Sequence, residues 1–160
     1  MRGFFRIRFG AQGLWLGVWP RLRARQPSIG EKAKRPCGRI LIMDDEPMLR
    51  KLSAEFLSKL GYDVTTAASG EEAVELYRMA GAKNQPFDAV IMDLRVPGGM
   101  GGKEAIEKLK ALDPHIKAII SSASSEDPVL TNYKRYGFSA AVNKPFNLHD
   151  LQQALQSVHN

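Results

Sequence analysis

Residues 39–47 read RILIMDDEP, in which four apolar residues at 40–43 run directly into Asp44, Asp45 and Glu46. A short continuous apolar run is typical of a strand that is buried on both faces of a parallel sheet. Adjacent carboxylates at the end of such a strand repel one another, and each loses contact with water unless it has a partner. The stretch therefore predicts a buried strand that delivers acidic side chains to a site.

The overall composition is that of one ordinary domain. A chain of 160 residues is long enough to bury a hydrophobic core of its own. Cys37 is the single cysteine, which excludes an internal disulfide and fits a reducing compartment. No apolar run approaches the roughly 20 residues that a membrane-spanning helix needs. We therefore expect a cytoplasmic protein.

The net charge of +6 is unevenly distributed along the chain. Residues 1–36 carry nine Lys and Arg against one acid, Glu31, whereas residues 37–160 carry fourteen against sixteen Asp and Glu. Because the first segment sustains no helical or strand period, we expect a basic, poorly ordered N-terminal arm over 1–36 and one domain over 37–160. Trp15 and Trp19 among the arginines leave open a membrane-surface or nucleic-acid patch, and a secretory signal is also left open.

From Arg39 onward, an apolar run followed by a helical stretch occurs five times. The predicted strands are 39–43, 63–67, 87–92, 117–121 and 140–143. The predicted helices are 47–60, a helix capped by Ser69 with Glu72, 102–112, a helix from Asp127 to about Tyr136, and a last helix capped by Asn147. Strand–helix alternation at this spacing predicts an α/β fold with a doubly wound, five-stranded parallel sheet and helices on both faces.

Helical spacing of apolar residues also predicts which side chains face the sheet. In the first helix the predicted inner face includes Leu52 and Leu57. In the third helix it includes Leu109 and Leu112. We expect all four leucines to be buried in the core.

Polar side chains follow four of the five strands, and functional groups of doubly wound sheets gather at the carboxyl ends of strands. The residues in question are Asp44, Asp45, Asp93, Ser121, Ser122 and Lys144. Three carboxylates at one rim predict a Mg²⁺ site, and Mn²⁺ is expected to be able to substitute. A lysine and a hydroxyl suit an anion with several oxygens. The set therefore predicts phosphoryl transfer, in which a carboxylate can be the nucleophile.

Four segments of the chain carry a resemblance to a known family. They are ILIMDDEP (40–47), AVIMDLRVPGGMGG (89–102), AIISSAS (118–124) and NKPF (143–146). In order and spacing they resemble the receiver domains of bacterial two-component response regulators, from Gly38 to about Val158. The stretch VPGGMGGKEA (96–105) especially resembles receivers attached to hybrid sensor histidine kinases. The resemblance implies a flavodoxin-like (βα)5 sheet with strand order 2-1-3-4-5.

The resemblance also implies a role for each residue of the rim. Asp93 would accept the phosphoryl group, and Asp44, Asp45, Asp93 and the backbone carbonyl of Arg95 would hold Mg²⁺. Ser122 would be the switch hydroxyl, with Ser121 as the competing choice. Lys144 would pair with the phosphoryl oxygens, and the bond between Lys144 and Pro145 would be cis.

In the family, output leaves through the face of the fourth helix, fifth strand and fifth helix. Here that face would lie near Tyr133, Tyr136 and Phe138, with Ala141 in the fifth strand. Ala141 stands where the family often carries an aromatic residue that swings inward on activation, so this chain departs from the usual hydroxyl–aromatic coupling. The resemblance also allows a homodimer on phosphorylation.

The function that the resemblance implies is that of a phosphoacceptor in a two-component phosphorelay. A sensor histidine kinase or a histidine phosphotransfer protein would donate the phosphoryl group from a phosphohistidine. The domain would then switch conformation to signal to a downstream protein, without acting as an enzyme on another substrate. Since the chain ends at Asn160, we expect a stand-alone receiver or a piece of a hybrid histidine kinase, with no direct DNA binding by the domain.

Two other classes of protein compete with this interpretation. A phosphatase that works through an aspartyl phosphate typically needs a second Asp two residues after the nucleophile, where this chain has Arg95. A flavodoxin-like nucleotide-binding module could use the glycine-rich segment PGGMGGKE (97–104). That segment fails the P-loop pattern, because Pro97 replaces its first glycine and Glu104 replaces its Ser/Thr.

Overall fold

The computed structural model describes residues 37–159, and the predicted arm, 1–36, lies outside the described residues. The described part contains one five-stranded sheet in the order β2-β1-β3-β4-β5, with every neighbouring pair parallel. The predicted flavodoxin-like order is thereby confirmed. Within this part of the chain, no helix has both the length and the apolar character required to span a bilayer.

The strands and helices alternate along the chain. The strands are β1 (Arg39–Met43), β2 (Asp63–Ala67), β3 (Ala89–Asp93), β4 (Ala118–Ser122) and β5 (Ala140–Asn143). The helices are α1 (Pro47–Lys59), α2 (Gly70–Ala82), α3 (Gly102–Leu112), α4 (Pro128–Thr131) and α5 (Leu148–His159). A short 3-10 helix at Tyr133–Tyr136 follows α4.

Local signals at the helix starts act as predicted. The Ser69 hydroxyl accepts a hydrogen bond from the Glu72 backbone N–H, and the Glu72 carboxylate accepts one from the backbone N–H of Ala68. The Asn147 side chain accepts hydrogen bonds from the backbone N–H groups of His149 and Asp150. These contacts satisfy N–H groups that have no partner inside the helix, and so they define where α2 and α5 begin.

The fourth helix differs from its prediction, because the structure breaks it after one turn. Asn132 adopts φ −120° and ψ 32°, outside the helical region, and separates the four residues of α4 from the 3-10 helix. Gly137 ends this segment in the left-handed region, at φ 93°, which glycine adopts without steric cost. The apolar pattern of 128–136 resembles one continuous helix, but the backbone at Asn132 divides it.

Two apolar clusters lie on opposite faces of the sheet. One cluster packs α1 and α5 against the sheet, with Leu57, Leu151 and Leu155 fully buried. The other packs α2, α3 and α4 against the opposite face, with Ile106 and Leu109 at its centre. Because both faces are covered, the central strands β1, β3 and β4 are apolar along most of their length, and their polar residues lie at the strand ends.

Two predicted core residues are exposed. Leu52 in α1 is 42% exposed and Leu112 at the end of α3 is 48% exposed. The inner face of α1 passes through Ser53 rather than Leu52, and the Ser53 hydroxyl donates to the carbonyl of Leu49. A serine whose hydroxyl is hydrogen-bonded within its own helix can occupy a core position. The buried face of α1 therefore differs from the face that the spacing of its leucines predicts.

This difference makes Leu57 and Leu52 a matched pair for a stability measurement. We expect Leu57→Ala to lower the free energy of unfolding by about 3 kcal/mol, because it leaves a cavity at a side chain with no exposed surface. Leu52→Ala, in the same helix, should change it by less than about 1 kcal/mol. Urea unfolding followed by circular dichroism measures both. Equal losses in the two variants would contradict the described packing of α1.

Candidate functional site

The acidic rim is built by the ends of two adjacent strands. In the parallel pairing of β1 with β3, Met43 lies opposite Met92, so the residues that follow them, Asp44 and Asp93, emerge side by side. Asp44 is only 3% exposed, and its backbone N–H donates to the carbonyl of Ala67. The sheet register therefore brings together two carboxylates that are 49 positions apart in sequence.

Asp45 completes a cluster that fits a divalent cation. One carboxylate oxygen from each of Asp44, Asp45 and Asp93 lies within 4.8 Å of the others. This spread is close to the roughly 4.2 Å between opposite oxygens around an octahedral Mg²⁺, from metal–oxygen distances of about 2.1 Å. The cluster combines one buried, one half-buried and one exposed carboxylate, so it is open to solvent on the Asp45 side. Donor type and spacing both suit Mg²⁺.

Backbone N–H groups hold two of these carboxylates in place. The N–H of Glu46 donates to Asp44 Oδ1 at 2.9 Å. The N–H of Arg95 lies 3.4 Å from Asp93 Oδ1, at the long end of the hydrogen-bonding range. Each contact spans two residues and leaves the other oxygen, Oδ2, directed at a different partner.

That partner is Lys144, which follows β5. Its Nζ donates to Asp44 Oδ2 and to Asp93 Oδ2, at 2.7 Å in both cases. The Lys144 side chain is nearly buried, and its backbone N–H donates to the carbonyl of Ser122. The Lys144–Pro145 peptide bond is cis in the structure. The ammonium therefore reduces the repulsion between the buried carboxylate of Asp44 and the half-buried carboxylate of Asp93.

Burial and charge act in opposite directions on this ion triad. Burial raises the pKa of Asp93, with a smaller contribution from the negative charge of Asp44, although the hydrogen bond and charge of Lys144 oppose the shift. Burial by itself would lower the pKa of Lys144, but its hydrogen bonds to Asp44 and Asp93 raise it on balance. Lys144 is therefore a fixed cation at neutral pH.

Ser122 and Ser121 lie in different surroundings. Asp93, Ser122, Lys144 and Pro145 line an open cavity of about 560 Å³. Ser122 accepts a hydrogen bond from the N–H of Ser124, whereas the Ser121 hydroxyl donates to the backbone carbonyl of Met92, away from the cavity lining. Of the two serines, Ser122 is the one that lines this cavity together with Asp93 and Lys144.

One contact at the rim was not predicted from the sequence. The guanidinium of Arg95 forms an ion pair with Asp127, Nη2 to Oδ2, at 2.9 Å. A hydrogen bond from the backbone N–H of Val129 lowers the pKa of Asp127, and Arg95 lowers it further. The sequence suggests Asp127 only as a helix cap, because nothing local relates it to a residue 32 positions earlier.

The predicted output face is only partly at the surface. Tyr133 and Tyr136 in the 3-10 helix are half-buried, as is Ala141 in β5, and Tyr133 and Ala141 line a groove beside α5. Phe138, in contrast, is only 3% exposed and belongs to the core cluster around α2, α3 and α4. Phe138 is therefore a core residue, and its assignment to an output surface was wrong.

Comparison with known proteins agrees with this geometry. The sequence-family model of the response regulator receiver domain matches residues 40–156 of this chain. Sporulation initiation phosphotransferase F of Bacillus subtilis is 32% identical over 74% of this chain and 90% of its own length. Chemotaxis protein CheY of Thermotoga maritima is 33% identical over 75% of this chain and 96% of its own.

A solved structure shows the same fold. The crystal structure of the CheX–CheY–BeF3–Mg²⁺ complex from Borrelia burgdorferi contains a chain that is 25% identical, with a TM-score of 0.70. The match covers 77% of this chain and 90% of that one. The chain belongs to the response regulator receiver domain family. It is homologous to the phosphoacceptor receivers of two-component systems, and neither the phosphatase nor the nucleotide-binding alternative is favoured.

Proposed function

We propose that Asp93 is the residue on which this receiver accepts its phosphoryl group. The observation that carries the proposal is the position of the Asp93 carboxylate. It lies in the acidic cluster, 2.7 Å from the Lys144 ammonium, and faces an open cavity that Ser122 also lines. Asp44 is more deeply buried and Asp45 is exposed, so Asp93 best combines access for a donor with a cation to bind the product.

The transfer proposed here is a displacement at phosphorus. An oxygen of the Asp93 carboxylate forms a bond to the phosphorus of a donor phosphohistidine. The phosphorus–nitrogen bond breaks, and its electron pair stays on the imidazole of the donor. Lys144 holds an oxygen of Asp93 before transfer and is placed to bind a phosphoryl oxygen after it.

Asp44, Asp45, Asp93 and the backbone carbonyl of Arg95 would hold Mg²⁺ in this site. When bound, the metal neutralises negative charge on the phosphoryl oxygens and on the attacking carboxylate. The chain's own carboxylates orient the metal, and the N–H of Glu46 keeps Asp44 in position for that role. We propose that Mn²⁺ can substitute, since it also prefers oxygen ligands.

The proposed partners follow from this chemistry. The donor is a sensor histidine kinase or a histidine phosphotransfer protein. The recipient is a downstream protein that contacts the face of α4, β5 and α5. Phosphorylation would also allow a homodimer. In this proposal the domain is not an enzyme for an external substrate, because the group it transfers ends on its own side chain.

A small phosphodonor tests the proposal directly. Incubation with acetyl phosphate and Mg²⁺ should add one phosphoryl group per chain, and hydroxylamine should remove it, because an acyl phosphate reacts with that nucleophile. Intact-mass spectrometry measures both steps. Sustained turnover of the donor without a labelled chain would instead favour the phosphatase class.

Ser122 and Ser121 provide a matched test of the switch. We expect Ser122→Ala to be labelled normally but to lose most of the spectral change that follows labelling, because its hydroxyl lines the cavity. Ser121→Ala should keep both the labelling and the spectral change, since its hydroxyl donates to the Met92 carbonyl and is not among the described residues that line the cavity. Nuclear magnetic resonance of the amides, before and after labelling, is the measurement. A normal response in Ser122→Ala would contradict this assignment.

A further inference from the structure

Arg95 and Asp127 connect the proposed phosphorylation site to α4. Arg95 lies two residues after Asp93, and its side chain is 74% exposed, whereas the side chain of Asp127 is 9% exposed. The ion pair, with an Nη2–Oδ2 distance of 2.9 Å, therefore joins the exposed and flexible side chain of Arg95 to the buried carboxylate of Asp127. An exposed guanidinium on a flexible stem can change partners at small cost, while a buried carboxylate cannot follow it.

Asp127 has a second role that uses its other oxygen. Its Oδ1 accepts a hydrogen bond from the N–H of Val129 at 2.9 Å, and its backbone carbonyl accepts one from the N–H of Thr131. Since α4 has only four residues, these contacts are a large share of what holds its first turn. Any change in the partner of Oδ2 therefore acts on the residue that begins α4.

The cavity beside Asp93 has a shortage of free positive charge. Among the described residues that line it, the cations are Arg95 and Lys144. Lys144 already donates to both Asp44 and Asp93. A phosphoryl group on Asp93 adds up to about two negative charges and three acceptor oxygens at this point. Of these two cations, Arg95 is the one that can form an ion pair with the added phosphoryl oxygens, and its present partner is a single carboxylate oxygen of Asp127.

We propose that Arg95 exchanges Asp127 for the phosphoryl group when Asp93 is modified, so that Asp127 competes for Arg95 in the unmodified domain and α4 responds when the ion pair breaks. This inference rests on Asp93 being the acceptor. Guanidinium groups bind phosphoryl oxygens through paired, charge-assisted hydrogen bonds, which a single carboxylate oxygen does not match. The exchange offers a route from the site to α4 that does not pass through position 141, which is Ala141 here.

A double-mutant cycle with beryllium fluoride, a phosphoryl mimic, tests the exchange in the full chain. Arg95→Ala should weaken binding of the mimic in the presence of Mg²⁺ by about tenfold, because charge-assisted hydrogen bonds are lost. Asp127→Asn should strengthen it by about two- to fivefold, because Arg95 no longer has to leave an ion pair. Asparagine caps helices as well as aspartate does, so this variant keeps the start of α4.

The double variant separates the exchange from two independent effects. With Arg95 absent, Asp127→Asn should leave the affinity for the mimic unchanged, because no ion pair remains to break. The Val129 amide signal should shift on binding in the natural protein and shift far less in Arg95→Ala. A thermal melt of each variant checks that it is folded.

The possible failures are distinguishable. If the natural protein binds the mimic but Arg95→Ala binds it equally well, or if Asp127→Asn has the same effect with and without Arg95, the exchange is overturned while the acceptor assignment stands. If the natural protein neither binds the mimic nor is labelled at Asp93, the proposed function fails first.

Discussion

Asp93→Asn should abolish labelling by acetyl phosphate, with at least a hundredfold fall in the labelling rate. An amide is a poor nucleophile, and it cannot share a divalent cation as a carboxylate does. The substitution is nearly isosteric, so the packing around β3 should persist, and among the described residues Lys144 then keeps Asp44 as its ionised partner. Intact-mass spectrometry after incubation with phosphodonor and Mg²⁺ measures the result.

Asp63→Asn is the matched control for this experiment. Asp63 is the first residue of β2 and lies at the amino ends of the strands, away from the rim that carries the proposed site. There it is exposed and pairs with Arg39. Its replacement should leave labelling at the natural rate, because the amino ends of the strands take no part in the proposed site. Full labelling of Asp93→Asn, with the phosphoryl group mapped to another residue, would overturn the acceptor assignment.

Asp45→Ala should weaken Mg²⁺ binding by about tenfold or more. Mg²⁺ in such sites keeps several water ligands, so each protein carboxylate supplies a large share of the attraction. Asp45 is exposed, so its removal should cost little folding stability, and a loss of affinity can be assigned to the metal site itself. A Mg²⁺ titration followed by nuclear magnetic resonance, at constant ionic strength, gives the dissociation constants.

Glu55→Ala removes a carboxylate of the same charge from the exposed side of α1 and serves as the control. It should leave the affinity for Mg²⁺ within twofold of the natural value, since screening weakens the effect of a distant surface charge. If Asp45→Ala and Glu55→Ala bound Mg²⁺ equally well, the acidic cluster would not be the metal site.

Local sequence pattern was sufficient for most of the fold. Runs of four to six residues separated by helical stretches predicted all five strands, and β1, β2 and β5 have the predicted bounds. Periodicity and capping residues act over a few positions, so a single sequence carries them directly. The edges of β3 and β4 shifted by one or two residues, because pairing with neighbouring strands, rather than composition, decides where a ladder begins and ends.

The phase of α1 shows where local pattern stops being sufficient. Leu52 and Ser53 are neighbours, and hydrophobicity favours Leu52 for the core, yet the structure buries Ser53. The angle at which a helix docks on a sheet depends on all of its contacts together. A serine can satisfy its hydroxyl within its own helix, so its polarity alone does not exclude it from the core.

For the site, the order of residues along the chain was enough to bring Asp44, Asp93 and Lys144 to one rim, because the ends of parallel strands meet at one edge of the sheet. Only the tertiary structure decided how the side chains pair: Lys144 lies between two carboxylates, and Arg95 reaches Asp127. These choices depend on distances between side chains that are far apart in sequence. Periodicity carries no information about such distances, since it reports only which face of its own element a residue occupies.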